Sequence, residues 1–279
     1  MILMLQDIIK KINMQYIKLP IKLLELNNQF KELYTYYLIK SKIHDSSNAV
    51  CISETRLMQD IGVCHATMMK YIKELKPYFS SVTKKIPEDC IYYCNVYHFN
   101  QITRDYITAL GTLRDNTELS PEQKGILLKV KMMCLKDTNF LKYSSRAELT
   151  EMLCIPKNKV HSVLKELEDK GYICFIGNSL HVSPIFFPLS IYGDETVNHI
   201  YKVIYNYCLI KRVCPPIKDN EALDILKKKF PNTDDTLLNT LTQRCASLPK
   251  SVSLDYFVKA IEDKKITKDV KTDYGFILC

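Results

Sequence analysis

Tryptophan is absent from the 279 residues and glycine is scarce, with seven in all and no two closer than six positions. Neither G-x-x-x-x-G-K-[ST] nor G-x-G-x-x-G can be written with glycines so spread, because each needs them clustered to bring backbone N–H groups onto a phosphate. A nucleotide-driven motor and a Rossmann dehydrogenase are therefore not expected. No uncharged apolar run approaches the roughly 18 residues that mark a membrane span. The opening stretch MILMLQDIIKKINMQYIKLP carries Asp7, Lys10 and Lys11 and has no small-residue cleavage site, so it reads as an amphipathic helix rather than a signal peptide. Membrane contact is not expected.

What is present fits a folded chain of two or three modest domains, with 47% hydrophobic and 25% charged residues. The eleven cysteines are odd in number and scattered singly, which points to a reducing cytoplasm and not to a disulfide framework. The net charge of +8 divides into +4 over residues 1–100, +2 over 101–189 and +2 over 190–279, with no basic tail. Such a balance permits contact with a polyanion, and the position of individual charges must decide it.

Cys90, Cys94 and His98 have metal-like spacing but lie in DCIYYCNVYHFN, whose aromatic and β-branched residues favour a strand. Four-residue steps along a strand separate side chains by roughly 13 Å. A single ion with bonds of about 2.0–2.3 Å cannot span them. No metal and no cofactor are expected.

An internal repeat organises the chain. Shifted by 92 residues, ISETRLMQDIGVCHATMMKYIKEL (52–75) aligns without gaps on SSRAELTEMLCIPKNKVHSVLKEL (144–167). Ser53 matches Ser145, Leu57 matches Leu149, Ile61 matches Leu153, and Lys73-Glu74-Leu75 matches Lys165-Glu166-Leu167. Each copy reads as two short helices around a tight turn. Ser53 suits an N-cap and Gly62 a left-handed helix end, with Cys154 in the glycine's place in the second copy. Pro156 there suits the first turn of the following helix.

At 100° per residue, Met68, Tyr71, Ile72 and Leu75 form one apolar arc of the second helix, and Val160, Val163, Leu164 and Leu167 form its counterpart. The opposite arcs hold His65, Ala66, Met69, Lys70 and Lys73 in the first copy, and Lys157, Asn158, His161, Ser162 and Lys165 in the second.

A helix precedes each copy, over 30–43 and over 120–136, the latter opened by Ser120, Pro121 and Gln123 as a capping box. A hairpin follows each. In the second copy GYICFIGNSLHV turns at Gly177-Asn178, and in the first a longer turn surrounds Pro87-Glu88-Asp89.

Helix, helix-turn-helix and hairpin in this order resemble the winged-helix family, twice over, across residues 30–99 and 120–187. GVCHATMMKYIKEL and CIPKNKVHSVLKELEDKGYI look like its recognition helix. The expected fold is α+β, mainly α with small β-hairpin wings. Residues 1–99 form an N-terminal helix and the first winged helix, 100–119 a partly helical connector, 120–189 the second winged helix and 190–279 a small helical C-terminal domain.

The resemblance implies double-stranded DNA as partner, since the major groove admits one helix. Lys157, Asn158, His161, Ser162 and Lys165 would form one reading edge. His65, Ala66, Met69, Lys70 and Lys73 would form a more apolar one, with Lys84 and Lys85 of the first wing meeting phosphate or the minor groove. Neither histidine has an adjacent nucleophile or paired carboxylate, so no catalytic residue and no enzyme activity are expected.

The third segment ends in SLDYFVKAIEDKK, and a winged helix followed by such a helical domain resembles the DnaD-type replisome organisers of bacteria and their phages. Phe257 and Ile261 fit that family's spacing, while its following tryptophan is missing here. Paired winged helices also resemble plasmid replication initiators. Both resemblances imply replication initiation in the cytoplasm, with Tyr256, Phe257 and Ile261 as a surface for a homo-oligomer, a replicative helicase or another replisome protein. A winged-helix transcriptional regulator and a protein-interaction scaffold are the alternatives.

Overall fold

A computed structural model describes residues 15–26, 30–43, 48–86, 93–135, 138–188, 195–216, 218–231, 235–250 and 252–262. Residues 1–14 lie outside this set, and with them most of the expected N-terminal helix. The fold is α+β, with eleven α-helices and three small antiparallel sheets among the described residues. No helix there is long and apolar enough to cross a membrane. Two compact units are present, Met1–Met133 with Thr150–Lys159, and Cys134–Leu149 with Val160–Cys279.

In the first unit, β1 (Tyr16–Pro20) leads through a 3-10 turn (Ile21–Glu25) to α1 (Phe30–Lys40), β2 (Ala49–Ile52), α2 (Glu54–Ile61) and α3 (His65–Leu75). After a second 3-10 turn come β3 (Phe79–Lys85), β4 (Cys94–Phe99), β5 (Tyr106–Leu110), α4 (Thr112–Asp115) and α5 (Pro121–Met133). The sheet order β2-β4-β3 places β4 in the middle. An aromatic cluster closes this sheet over α1, with Tyr36 5.5 Å from both Phe79 and Phe99 between ring centroids, and Phe79 5.0 Å from Tyr97.

The stretch Tyr16–Pro20, read from sequence as part of a helix, is a strand. Its period is two, not 3.6: Ile17 and Leu19 are buried while their neighbours are not. Its partner is β5, in antiparallel register from Tyr16 opposite Leu110 to Pro20 opposite Tyr106, with Lys18 opposite Thr108 at the centre. Half of the expected helical connector is therefore strand, and only Thr112–Asp115 is helical. Tyr16-Ile17 and Tyr106-Ile107 stand at corresponding places ahead of the two copies. The strand that precedes one copy thus pairs with the strand that precedes the other.

The helices that follow these strands, α1 and α5, also pack on each other. Three lysines of α5 are buried, Lys124, Lys129 and Lys131. Lys124 Nζ donates to the Arg114 carbonyl at 2.9 Å beside the Tyr34 ring, and Lys129 Nζ donates to the Leu153 carbonyl at 3.1 Å beside the Phe30 ring. A buried ammonium is tolerable only with such partners.

The order of the first copy returns in the second. After α5 come β6 (Phe140–Lys142), α6 (Arg146–Leu153), α7 (Lys157–Asp169), β7 (Ile173–Ile176) and β8 (Ser179–Val182), with sheet order β6-β8-β7. The turn between β7 and β8 is the two residues Gly177-Asn178, with Ile176 opposite Ser179 and Gly177 at a φ of 56°. From Glu195 every regular element among the described residues is a helix: α8 (Glu195–Ile210), α9 (Asn220–Lys229), α10 (Asp235–Arg244) and α11 (Leu254–Glu262). Their core includes Ile200, Tyr201, Ile204, Leu223, Leu237, Leu241 and Phe257. Tyr207 Oη ties α8 to the end of α10 by donating to the Cys245 carbonyl at 2.6 Å.

Candidate nucleic-acid interface

The first helix pair is set by local chemistry. Ser53 Oγ accepts from the Arg56 amide at 3.2 Å, which caps α2, and Gly62 ends that helix at φ 68°, ψ 54°. Met68, Tyr71, Ile72 and Leu75 of α3 are buried, so the opposite face is left to solvent. On it His65, Ala66, Met69, Lys70 and Lys73 are all exposed. Lys70 Nζ lies 3.8 Å from Glu74 Oε1, a surface pair one helical turn apart. Pairs of this kind are worth only ~0.3–0.5 kcal/mol and yield readily to a phosphate.

A carboxylate missed by sequence reasoning joins α3 to the hairpin. Glu54, the first residue of α2, lies 3.4 Å from His65 Nε2 through one oxygen and accepts from Asn95 Nδ2 at 2.9 Å through the other. Asn95 also donates to Tyr97 Oη at 3.1 Å. The start of the outward-facing helix is thereby fixed to the middle strand of the sheet. Nothing in the sequence marks Glu54 for this, since helix-opening acids are common for dipole reasons alone. Lys84 and Lys85 lie exposed on the edge strand β3, opposite Asn95 and Cys94.

The second pair repeats the construction. Ser145 Oγ accepts from the Glu148 amide at 3.2 Å, and the Glu148 carboxylate in turn accepts from the Ser144 amide, which holds its pKa below the usual carboxylate value. Cys154 takes the left-handed place at φ 55°, the strain that glycine would avoid. Leu164 and Leu167 are buried, Val160 and Val163 half-buried, and His161, Ser162 and Lys165 exposed. Lys165 Nζ stands 3.8 Å from Asp169 and Lys170 Nζ 2.7 Å from Glu166. Lys157 and Asn158 open α7, and their side chains lie outside the described residues.

Two further expectations meet the structure differently. Of the three residues assigned to a partner surface, Phe257 is fully buried and Ile261 nearly so, both in the core of the helical segment. Their spacing of four, which resembles the replisome organisers, here serves packing of α11 against its neighbours. Tyr256 alone is only partly buried, edge-on to Phe257 at 5.7 Å. Of the metal-like series, Cys94 and His98 lie on one face of β4 as strand alternation requires, Cys90 is outside the described residues, and no cluster of three potential ligands occurs among those described.

A groove of about 640 Å³ is lined by Lys42, Arg56, Arg114 and the edge strand β2. Each of its cations is already engaged: Lys42 and Arg56 share Asp60 at 3.0 and 3.1 Å, and Arg114 holds Asp115 at 2.7 Å. Comparison with family models, with curated proteins and with solved structures finds no match for this chain.

Proposed function

We propose that the chain is a non-enzymatic, cytoplasmic DNA-binding protein built on two winged helices and acting in replication initiation or replisome organisation. One observation, made twice, carries the reading. A helix, a strand, a helix pair and a hairpin follow in that order with the last strand central in the sheet, and the second helix of the pair turns a polar, partly basic face outward. In the first copy that face is His65, Ala66, Met69, Lys70 and Lys73. In the second it includes His161, Ser162 and Lys165, with Lys157 and Asn158 at the helix start.

Duplex DNA is the partner such a face suits, with lysines on phosphates and His, Asn and Met near base edges. Two non-identical readers in one chain suit an asymmetric origin sequence. The helical segment from Glu195 is then the part that engages a replicative helicase, another replisome protein or a second copy. That contact must use surface other than Phe257 and Ile261.

Anisotropy of a labelled duplex across a salt series tests the reading. Each neutralised phosphate contributes about −0.9 to the slope of log affinity against log salt, so several lysine contacts give a steep line and a flat line refutes DNA binding. Replacing Lys157, Asn158 and Lys165 together, and separately Lys70 and Lys73 together, weakens binding and lowers the slope for each copy that reads DNA.

A further inference from the structure

We infer that the first hairpin ends in an apolar wedge, Ile86 with Tyr93, which enters the minor groove beside the major groove held by α3 and kinks the duplex there. This rests on the reading of the first copy as a DNA-binding module and goes beyond it in naming a deformation and the residues that cause it.

Tyr93 is 69% exposed and Ile86 46% exposed, the former the highest value among the large hydrophobic side chains of the described residues. Both stand just past the last pair of the β3–β4 ladder, Lys85 opposite Cys94, at its open end. Two large apolar groups left in water at one hairpin end cost solvation free energy that folding does not recover, which points to a use outside the fold.

Their side of the sheet can be assigned. Asn95 and Tyr97 lie on the face covered by the helices, since Asn95 holds Glu54 of α2 and Tyr97 is fully buried. Lys84 is opposite Asn95 on that face, and strand alternation carried two residues further puts Ile86 and Tyr93 there as well. The face is the one from which Glu54 reaches His65 at the start of α3. Wedge and reading helix therefore emerge on one side, joined through Asn95, Glu54 and His65.

Charge complementarity selects the occupant. Lys84 and Lys85 immediately precede the wedge and are exposed, so the hairpin end offers cations to phosphate and an apolar tip to whatever lies between the phosphates. Apolar side chains that enter the minor groove unstack a base step and bend the helix by 20–90°.

The test is end-to-end energy transfer on a duplex of about 20 bp, two helical turns, labelled at both ends and saturated with the full chain at low salt, with anisotropy of the same duplex reporting binding. Wild type and Tyr93→Phe are expected to raise transfer, because the ring and not the hydroxyl does the work. The Ile86→Ala/Tyr93→Ala variant is expected to saturate the same duplex without the rise. Both positions are exposed, so the variant keeps the far-ultraviolet dichroism of wild type. Binding by wild type with no rise, or a rise undiminished in the double variant, overturns the wedge while leaving DNA binding intact. No anisotropy change at all overturns the reading on which it rests.

Discussion

A Cβ placed on Gly125 would collide with the carbonyl of Phe30, so α5 lies backbone to backbone against α1 only because that side chain is missing. In an exposed helix alanine is better than glycine by up to ~1 kcal/mol. Here Gly125→Ala is expected to reverse that sign and destabilise by about 1–3 kcal/mol, the usual cost of overpacking. The urea midpoint measures it, and a midpoint unchanged or raised contradicts the close approach.

Tyr37 Oη donates to the Leu110 carbonyl at 2.7 Å and accepts from the Arg114 amide at 3.0 Å, which pins α1 to the end of β5 and the start of α4. Tyr37→Phe keeps the ring and strands both backbone groups. Each buried group left without a partner costs about 1–3 kcal/mol, so the variant unfolds at lower urea with its helix content unchanged before the transition.

Glu32 on α1 is fully buried, and neither of its oxygens has a hydrogen-bond partner. Burial, with Glu74 beside it and Lys70 opposing weakly, pushes its pKa up to about 8 from the ordinary 4.5. The folded state therefore keeps a proton that the unfolded chain has lost. The stabilisation is complete below pH 4.5 and drains away as pH rises to about 8. Glu32→Gln is expected to flatten unfolding free energy over that window and to be the more stable protein at its alkaline end; parallel profiles for the two proteins refute the buried acid.

His181 on β8 has the opposite sign. It is fully buried, with Nδ1 3.4 Å from Tyr205 Oη of α8 and Nε2 without a partner, and burial lowers its pKa to about 4 from 6.5. The folded chain resists protonation that the unfolded chain accepts, so this contribution is lost as pH falls from 6.5 towards 4. His181→Phe should remove that part of the acid sensitivity, and a titration of unfolding between those limits that is identical in both proteins sinks the assignment.

The helix pairs were readable because their signals are local. Ser53 and Gly62 bracket one helix by hydrogen bond and left-handed backbone, and Gly177-Asn178 sets a two-residue turn. Ser120 and Gln123 cap α5 reciprocally, at 3.2 and 2.9 Å. The outward faces were readable as well, since helical periodicity alone separates Met68, Tyr71, Ile72 and Leu75 from His65, Met69 and Lys70. The exposed tip at Ile86 and Tyr93 left no such trace. Isolated apolar residues near a turn look alike in sequence whether they are buried or not.

The sequence by itself determined the repeat, its caps, its turns and the apolar stripe of each helix, because each depends on residues within a few positions of one another. Tertiary structure alone decided that Tyr16–Pro20 is a strand, since its ladder comes from β5 some ninety residues away. It alone also buried Lys124 and Lys129 beside aromatic rings, turned Phe257 and Ile261 into core, and used Glu54 to bind helix to hairpin. Burial and long-range pairing are properties of the partner that a segment meets, and that partner is absent from the segment's own residues.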